Sequence, residues 1–592
     1  MANPIECEFW EEAGVRVKRK AAPVLAIAAI LLAACSNTPP VPVVSSSAAA
    51  PSTPAKTPSQ IVVGVDDVAG GYNPHNLADS SQVTSALSQL LLPSVFRQKD
   101  DGKIELDKNL MLSAQVVSQQ PFVVAYVIRP DASWSDGAPI AAEDFDYLRT
   151  QMRDQPGVIA PAGYRQITDL QSREGGKRVE VTFAKPYPGW QTLFSDLLPA
   201  HLLKDAPDGW RGALASNFPA VAGPFSIKTL DLARGEAVIE RNERYWEKPS
   251  AIDRIVLRRT DPKDLIPALS SGNDQFVLAR TDSGSLKRLG ELGTAVQLHT
   301  VARPLVADVL LRPVSSVLQD SQVRAGITAM IDRAKLIAEG ADGGPSSTLH
   351  ADAQVKAPSV AGYAATMPAG PPTAPDLAKA EQSLKAAGYL KTAGTWRKNG
   401  KALSLVVASP GTQEPYAKIA KELTSELVAQ GIEVNAITPQ PRDLFGGLLA
   451  MPVVSGVQQA NPDSAGNVGI DIAVVPQAVG GDTASVLAST FGCRPEQTAP
   501  GVDKTKPVVP GNSAGFCDPA LQSSIDAALS GATPIDEALT TLEPELWRRN
   551  VVVPLFQMAD TLAIGTGISG VTPGPPMVGP FGSAVNWTRG PK

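Results

Sequence analysis

The sequence predicts an α/β protein with two or more domains or lobes. A chain of 592 residues is longer than one ordinary hydrophobic core accommodates, which predicts more than one domain. The run Phe122–Ile128 is rich in β-branched and aromatic residues, as strands are, and helical spacing begins after Ala141. Residues 403–434 show the pattern of a strand, a helix and a second strand. This alternation predicts sheets that pack against helices.

The composition is that of a globular protein and excludes several functions. Hydrophobic residues make up 43% of the chain, charged residues make up 19%, and the formal net charge is −6. No cluster of basic residues occurs outside the N-terminal segment, so no nucleic acid partner is expected. The four histidines are scattered and lack metal-ligand spacing, so neither a metal nor another cofactor is predicted.

Two short motifs that occur in enzymes lie in unsuitable surroundings. Residues 511–515 spell G-x-S-x-G, but no histidine follows His350, so the residue order of an α/β-hydrolase triad is missing. Residues 565–570 spell G-x-G-x-x-G, yet prolines follow where a dinucleotide-binding fold needs a helix. The sequence therefore predicts a protein that is not an enzyme.

The N-terminal segment resembles the signal peptide of a bacterial lipoprotein. Basic residues at 16–20 precede an apolar stretch, 21–34, which is too short to span a bilayer. The stretch ends in Leu-Ala-Ala-Cys, which resembles a lipobox, so residues 1–34 are predicted to be removed and Cys35 to be lipidated. The predicted location is the extracytoplasmic side of the plasma membrane, to which the acyl chains attach the protein. The alternative is an ordinary secretory signal that happens to contain a cysteine.

Two further features concern the same end of the chain. Four glutamates within residues 1–14 are unusual for a signal peptide, which predicts a true translation start near Val15. Residues 35–60 are rich in serine, proline, alanine and threonine, so they are predicted to form a disordered tether. The folded part is expected to begin with a strand at residue 61.

The strand, turn and helix around residue 134 carry a motif of eight residues. The motif resembles W-S-D-G-x-P-[ILV]-T-A-x-D, the signature of family-5 extracytoplasmic solute-binding proteins. Ala141 replaces the usual threonine, which removes a hydroxyl N-cap from the following helix. The alternative is a generic strand-turn-helix unit. The matching residues are Trp134, Ser135, Asp136, Gly137, Pro139, Ile140, Ala142 and Asp144.

Other blocks extend the resemblance over residues 61–590, namely 221–246, 320–337 and 378–401. Membership of this family implies a two-lobe fold like that of type II periplasmic binding proteins, with a hinge and an extra subdomain inserted in lobe 1. The implied boundaries are 61–95 for the first part of lobe 1, 96–217 for the inserted subdomain, 218–305 for the continuation of lobe 1, 306–548 for lobe 2 and 549–592 for the return to lobe 1.

Cys493 and Cys517 flank a loop rich in proline and glycine. Export places them in an oxidising compartment, which predicts a disulfide; two free buried thiols are the alternative. Together with residues 155–177, these cysteines are atypical of the family and resemble one mycobacterial lipoprotein within it. That resemblance implies a regulatory role in phosphatidylinositol mannoside metabolism, toward lipomannan and lipoarabinomannan, with a mannosylated inositol lipid as ligand and a membrane mannosyltransferase as partner.

The cleft between the lobes is the expected ligand site. Peptide binders of the family place an aspartate after the strand that here covers 470–475, and dipeptide binders place an arginine near 409–416; both are missing. Peptide binding is therefore not expected, although the substrate-binding subunit of an ABC importer for peptides or another small solute, with a permease as partner, remains the alternative function. The residues expected to line the cleft are Tyr72, Asn73, Trp134, Tyr416 and Gln477, with packing as the alternative role of the aromatic ones.

Overall fold

A computed structural model describes residues 58–590, except residues 69, 460–467, 499–500, 502 and 504. The predicted signal peptide, the predicted lipidation site Cys35 and the tether up to residue 57 lie outside the described residues.

A ten-stranded mixed sheet runs through both lobes. The first strand, Gln60–Val65, is paired in parallel on both of its sides, which explains its almost uninterrupted apolar sequence. In spatial order the ten strands are Glu433–Ile437, Ser404–Ala408, Ile472–Ala478, Val296–Leu311, Val552–Gly565, Phe276–Ala279, Gln60–Val65, Arg254–Arg259, Glu236–Arg241 and Phe225–Asp231.

Two long antiparallel strands, Val296–Leu311 and Val552–Gly565, connect the lobes. Their outer halves pair on the side of the first lobe, and their register then shifts between Ala302 and Val306. Beyond the shift they pair on the side of the second lobe, where strand Ile472–Ala478 joins them. In the described sheet, this pair of strands forms the only long ladder that continues from one lobe to the other. A hinge is expected at the point where its register is irregular.

A separate four-stranded antiparallel sheet forms the inserted subdomain. Helix Ala142–Asp154 packs on it through Phe145, whose ring lies 5.8 Å from that of Tyr126 and 4.9 Å from that of Phe194. Such aromatic pairs stabilise a core beyond the area that they bury. The strands in spatial order are Met111–Gln119, Phe122–Ile128, Arg178–Phe183 and Ile167–Arg173.

The eight-residue motif forms a hydrogen-bonded turn at the start of this helix. Ala141 has no hydroxyl to cap the helix, but Asp144 makes the reciprocal bond of a capping box by accepting a hydrogen bond from the Ala141 backbone nitrogen at 3.0 Å. The same carboxylate accepts from the indole Nε1 of Trp134 at 3.3 Å and from the backbone nitrogen of Ala200 at 3.0 Å. Its burial raises the pKa of Asp144, while these three donors oppose that rise. The motif residues therefore have a structural role in the inserted subdomain.

The second lobe contains the β-α-β unit that the sequence predicts. Helix Tyr416–Ala429 connects the parallel strands Ser404–Ala408 and Glu433–Ile437. Its apolar stripe is fully buried, because Ile419, Leu423 and Leu427 each have an exposure of 0%.

The remaining regular structure surrounds these sheets. Short paired strands are Phe96–Gln98, Ile104–Leu106, Leu390–Thr392, Thr395–Lys398, Lys401–Ala402, Val453–Val454, Val457–Gln458, Ile568–Ser569 and Thr588–Arg589. Other helices of eight or more residues are Gln82–Leu91, Ser283–Gly290, Ser321–Thr328, Arg333–Ala341, Leu377–Ala386, Thr483–Phe491, Pro519–Leu529 and Ile535–Arg549. Shorter α-helices are Ala162–Arg165, Ala200–Leu203, Gly209–Gly212, Leu265–Ser270, Pro441–Asp443 and Pro495–Thr498.

The described residues lack a membrane-spanning helix and a metal-binding cluster. None of their helices is both long enough and apolar enough to cross a bilayer. No group of three or more histidines, cysteines, aspartates or glutamates among them could hold a metal ion.

Candidate functional site

A cavity of about 50 Å³ lies between the inserted subdomain and the second lobe. We refer to it as the interlobe cavity. A site of this size is far below the roughly 300 Å³ of an ordinary ligand pocket, so a large ligand enters only when the lobes separate. Its walls are formed by Leu77, by residues 155–161 and 165, by 445, 449–450, 477–478, 486, 489–490 and 494, and by 510–513.

The wall from the inserted subdomain is a loop that is tied to the first lobe by backbone hydrogen bonds. The backbone nitrogen of Leu77 donates to Gly157 at 2.9 Å, and that of Ile159 donates to His75 at 2.8 Å. Gly157 has a φ of 69°, and a side chain there would come within 2.9 Å of the Cβ of Phe445 in the second lobe. Glycine is therefore required both by the backbone conformation and by the close approach of the lobes.

Arg165 extends from this wall toward the second lobe. Both of its terminal nitrogens, Nη1 and Nη2, donate to the carbonyl oxygen of Gly511 at 3.2 Å. Burial and, to a lesser extent, the nearby positive charge of Arg494 lower the pKa of Arg165 to about 10. The guanidinium is thus held in a fixed place at the boundary between the lobes.

Arg494 faces the same cavity from the second lobe. It follows Cys493, which forms a disulfide with Cys517. The backbone nitrogen of Cys493 donates to Oε1 of Gln522 at 2.7 Å, and that of Arg494 donates to Oε1 of Gln497 at 2.8 Å. The chain around Arg494 is therefore fixed by a covalent bond and by two side-chain acceptors.

The loop that carries the G-x-S-x-G sequence forms the third wall. Asn512 folds it, because Nδ2 of Asn512 donates to the carbonyl of Phe516 at 2.8 Å and Oδ1 accepts from the Phe516 nitrogen at 2.9 Å. The carbonyl oxygen of Ser513 accepts from Nε of Arg312 at 3.0 Å. The backbone carbonyls of this loop thus accept hydrogen bonds from two arginines, Arg165 and Arg312.

Three of the five residues predicted to line the cleft lie at or beside the interlobe cavity. Gln477 lines it. Tyr72 and Asn73 belong to the loop that leads to Leu77, but both have an exposure of 0%. The Tyr72 hydroxyl donates to the carbonyl of Val68 at 3.2 Å, and Oδ1 of Asn73 accepts from a backbone nitrogen two residues later at 3.1 Å. These two residues shape the loop and present no open face.

The placement of Trp134 in the cleft is wrong. Its exposure is 1%, and its indole donates to Asp144 within the inserted subdomain, so it is a core residue. The spacing of the motif correctly predicted a turn after a strand, but it did not show that the turn folds inward.

Tyr416 is also buried, with an exposure of 5%, and lies beside charged residues at the hinge. Burial raises its pKa to about 12; the positive charges of Arg303 and Arg280 oppose that rise, and Asp308 and Asp560 add to it. Its ring packs in the core of the second lobe and offers no free surface for stacking a sugar.

Asp560 is the most unusual member of this hinge group. Its exposure is 0%, and neither carboxylate oxygen has a hydrogen-bond partner among the described residues. Nε of Arg303 lies 3.9 Å from Oδ2, which is an ion pair but too long for a hydrogen bond. Burial raises the pKa of Asp560 to about 6; Arg303 and Arg280 oppose this, whereas Asp66 adds to it.

An ion pair joins the lobes on the other side of the cavity. Nε of Arg442, in the second lobe, donates to Oδ1 of Asp79 in the first lobe at 2.9 Å. Nη2 of Arg442 also donates to the carbonyl oxygen of Ala213 at 3.2 Å. Because the Asp79 side chain is only 2% exposed, this carboxylate depends on its partner from the opposite lobe.

Two α/β lobes, paired hinge strands and a site between the lobes define the class of extracytoplasmic solute-binding proteins. Residues 105–475 match the family model described as bacterial extracellular solute-binding proteins, family 5. The chain belongs to this family. Its members are binding proteins, so the chain is a solute-binding protein and not an enzyme.

Two relatives and one solved structure illustrate this similarity. The chain is 32% identical to a Mycobacterium tuberculosis protein named "Probable monoacyl phosphatidylinositol tetramannoside-binding protein LpqW", over 95% of this chain and 97% of that one. It is 27% identical to the oligopeptide-binding protein OppA of M. tuberculosis, over 42% of this chain and 45% of OppA. The structure of AppA from Bacillus subtilis, in complex with a nonapeptide, superposes with a TM-score of 0.66 at 16% identity, over 90% of this chain and all of AppA.

Sequence reasoning missed Arg165, Arg494 and Phe445. A signal existed for the two arginines, because Arg165 lies within the atypical segment 155–177 and Arg494 adjoins the atypical Cys493. The structure brings these two features together in one cavity. Phe445 lies in an irregular helical turn, Leu444–Leu448, which no sequence pattern indicates.

Proposed function

We propose that the chain binds the head group of a mannosylated phosphatidylinositol and regulates the flow of such lipids toward lipomannan and lipoarabinomannan. The full-length similarity to LpqW supports this role, because the two proteins match from end to end. The protein acts from the extracytoplasmic side of the membrane, anchored by a lipid on Cys35, and a membrane mannosyltransferase is its proposed partner.

The lining of the interlobe cavity is the observation that carries the proposal. Its polar side chains are mainly amides and hydroxyls, which exchange hydrogen bonds with the hydroxyl groups of sugars. The lining contains no acidic side chain that could pair with the amino terminus of a peptide. The amide and hydroxyl residues are Gln155, Gln477, Ser489, Thr490, Asn512 and Ser513.

The position of Asp482 argues against a peptide ligand. It is the first acidic residue after strand Ile472–Ala478, where peptide binders of the family use an aspartate. Here its carboxylate caps helix Thr483–Phe491 by accepting from the backbone nitrogens of Ala484 at 3.3 Å and Ser485 at 3.1 Å. A peptide amino terminus would be buried without a free partner, which costs several kcal/mol.

The alternative function is that of a substrate-binding subunit that delivers peptides or another small solute to an ABC permease. The similarity to OppA over 42% of the chain favours this alternative. The two functions differ in ligand, so a binding measurement separates them.

Calorimetry of the purified full-length protein tests the proposal. We expect binding of deacylated tetramannosylated glycerophosphoinositol and no binding of a mixture of tripeptides to pentapeptides. Gln477→Ala should weaken glycan binding about tenfold, which corresponds to one hydrogen bond of about 1.4 kcal/mol. The control is Gln171→Ala, which alters an exposed amide of the inserted sheet and should leave binding unchanged. Micromolar binding of peptides without any binding of the glycan would contradict the proposal.

Replacing Cys35 with alanine tests the anchor. The expected result is protein that is found in soluble fractions or the culture medium, because the thiol that receives the lipid is gone and no other anchor is proposed. The measurement is immunoblotting of membranes after a carbonate wash, with Cys7→Ala as the matched control. Retention of the Cys35→Ala protein in washed membranes would show that Cys35 is not the anchor.

A further inference from the structure

Arg165 and Arg494, which come from opposite lobes, both line the interlobe cavity, and each has buried N–H donors without a protein acceptor. Nε of Arg165 and both Nε and Nη2 of Arg494 are buried, and none of them meets an acceptor among the described residues. Buried side-chain donors are satisfied in most proteins, and charged ones almost always are. Three such N–H groups at one cavity therefore indicate that the site is built for an acceptor that is not part of the chain.

The charge of this site is only partly balanced by neighbouring acids. No ion pair within the described part of the chain includes Arg165 or Arg494. Asp154 raises the pKa of Arg165, and Arg494 lowers the pKa of Asp154, but this carboxylate is hydrogen-bonded to Nε and Nη2 of Arg153 at 2.7 and 2.8 Å. Glu496 is close enough to raise the pKa of Arg165, but it is exposed to solvent. Two cations whose mutual repulsion is only partly offset favour the binding of an anion.

Both arginines are positioned before any ligand arrives. Arg165 is held by the carbonyl of Gly511, and the chain at Arg494 is held by the disulfide of Cys493. A guanidinium presents its donors in a planar fork that matches the oxygens of a phosphate group. Because one arginine comes from each lobe and both line the same cavity, an anion bound by both would also hold the lobes together.

The size of the cavity limits what the two arginines can enclose. A volume of about 50 Å³ is enough for about four water molecules or for one small oxyanion, and it excludes a sugar ring. When the lobes separate, the amide and hydroxyl residues of the same lining, Gln155 and Gln477 among them, suit a polyhydroxylated group next to the anion.

We propose that Arg165 and Arg494 form a subsite for a phosphate group, with the phosphodiester of the lipid head group as its occupant. The identity of the lipid rests on the proposed function, whereas the anion subsite rests on the geometry of the two arginines. Inorganic phosphate has the same chemistry, so the experiment must separate the two sources.

The experiment uses calorimetry on the full-length protein with three probes. The first is deacylated tetramannosylated glycerophosphoinositol, the second is the same glycan on inositol without the phosphate, and the third is inorganic phosphate. We expect the wild type to bind the first probe at least about tenfold more tightly than the second, as charge-assisted hydrogen bonds imply. Arg494→Gln and Arg165→Gln should abolish this difference, and Arg494→Lys should restore part of it.

Arg173→Gln is the matched control, because Arg173 belongs to the same inserted subdomain, has a side chain that is 55% exposed, pairs with Glu180 and does not line the cavity. It should bind all three probes as the wild type does. Urea unfolding of each variant reports its folding, and Arg494→Lys keeps the test valid if Arg494→Gln does not fold.

The outcomes separate the subsite from the function. Equal wild-type affinity for both glycan probes, unchanged in the arginine variants, would overturn the subsite and leave the proposed function standing. Binding of inorganic phosphate that depends on Arg494, without any binding of the glycans, would support the subsite and overturn the lipid assignment. Absence of binding for all three probes would overturn both.

Discussion

Replacing Arg312 with methionine is expected to lower the free energy of unfolding by about 3–5 kcal/mol, because several buried acceptors lose their donors at about 1–3 kcal/mol each. Arg312 has an exposure of 0%. Its guanidinium donates to the carbonyls of Ser513 at 3.0 Å and Leu449 at 2.7 Å and to Oε1 of Gln458 at 2.7 Å. Methionine fills a similar volume but donates nothing.

The measurement is equilibrium unfolding in urea with linear extrapolation. The control is Arg234→Met, which alters a side chain that is 82% exposed and should change the unfolding free energy by less than about 0.5 kcal/mol. A loss below about 1 kcal/mol for Arg312→Met would show that the network is not needed for stability. Because Leu449 and Ser513 line the interlobe cavity, ligand binding should weaken together with stability.

The folded protein is expected to lose stability between pH 4 and pH 7 because of Asp560. Burial raises the pKa of this carboxyl from 3.8 to about 6, so the folded state binds its proton more tightly than the unfolded state does. The resulting stabilisation is complete below the unfolded pKa and is lost as the pH rises through the folded pKa. At 1.36 kcal/mol for each pH unit, the loss by pH 7 is about 3 kcal/mol.

Asp560→Asn isolates this contribution from those of other carboxylates. The variant should be more stable than the wild type at pH 7 by up to about 3 kcal/mol, and the difference should shrink as the pH falls to 4. Part of the gain is offset because Arg303 loses its ion-pair partner. The measurement is urea unfolding at several pH values, with Asp169→Asn as an exposed control. Parallel stability curves for the wild type and Asp560→Asn would contradict the prediction.

Local patterns predicted the elements well and their long-range assembly poorly. The strand Phe122–Ile128 and the helix Tyr416–Ala429 follow from spacing and composition, which are local properties. The pairing of Val296–Leu311 with Val552–Gly565 joins segments far apart in sequence, and no local pattern indicates their register. The resemblance to a family, and not periodicity, supplied the two lobes and the hinge.

Sequence patterns also failed to predict which single residues line the candidate site. An aromatic residue in a turn has the same spacing whether it faces solvent or the core, so Trp134 could not be assigned from the motif. Arg165 and Arg494 lie in segments that were atypical of the family, but a sequence does not show that two such segments meet. Burial and proximity are tertiary properties, and they decide which polar residues form a site.

The position of the first strand has a mechanical consequence. Any pull on the chain before Gln60 is applied to a strand that lies inside the large sheet, with Arg254–Arg259 on one side and Phe276–Ala279 on the other. The ladder to Arg254–Arg259 runs along the direction of the pull, so its hydrogen bonds share the load in shear and do not open one at a time. Tension applied at that end is therefore expected to load these hydrogen bonds together, so that the sheet resists unravelling from its first strand.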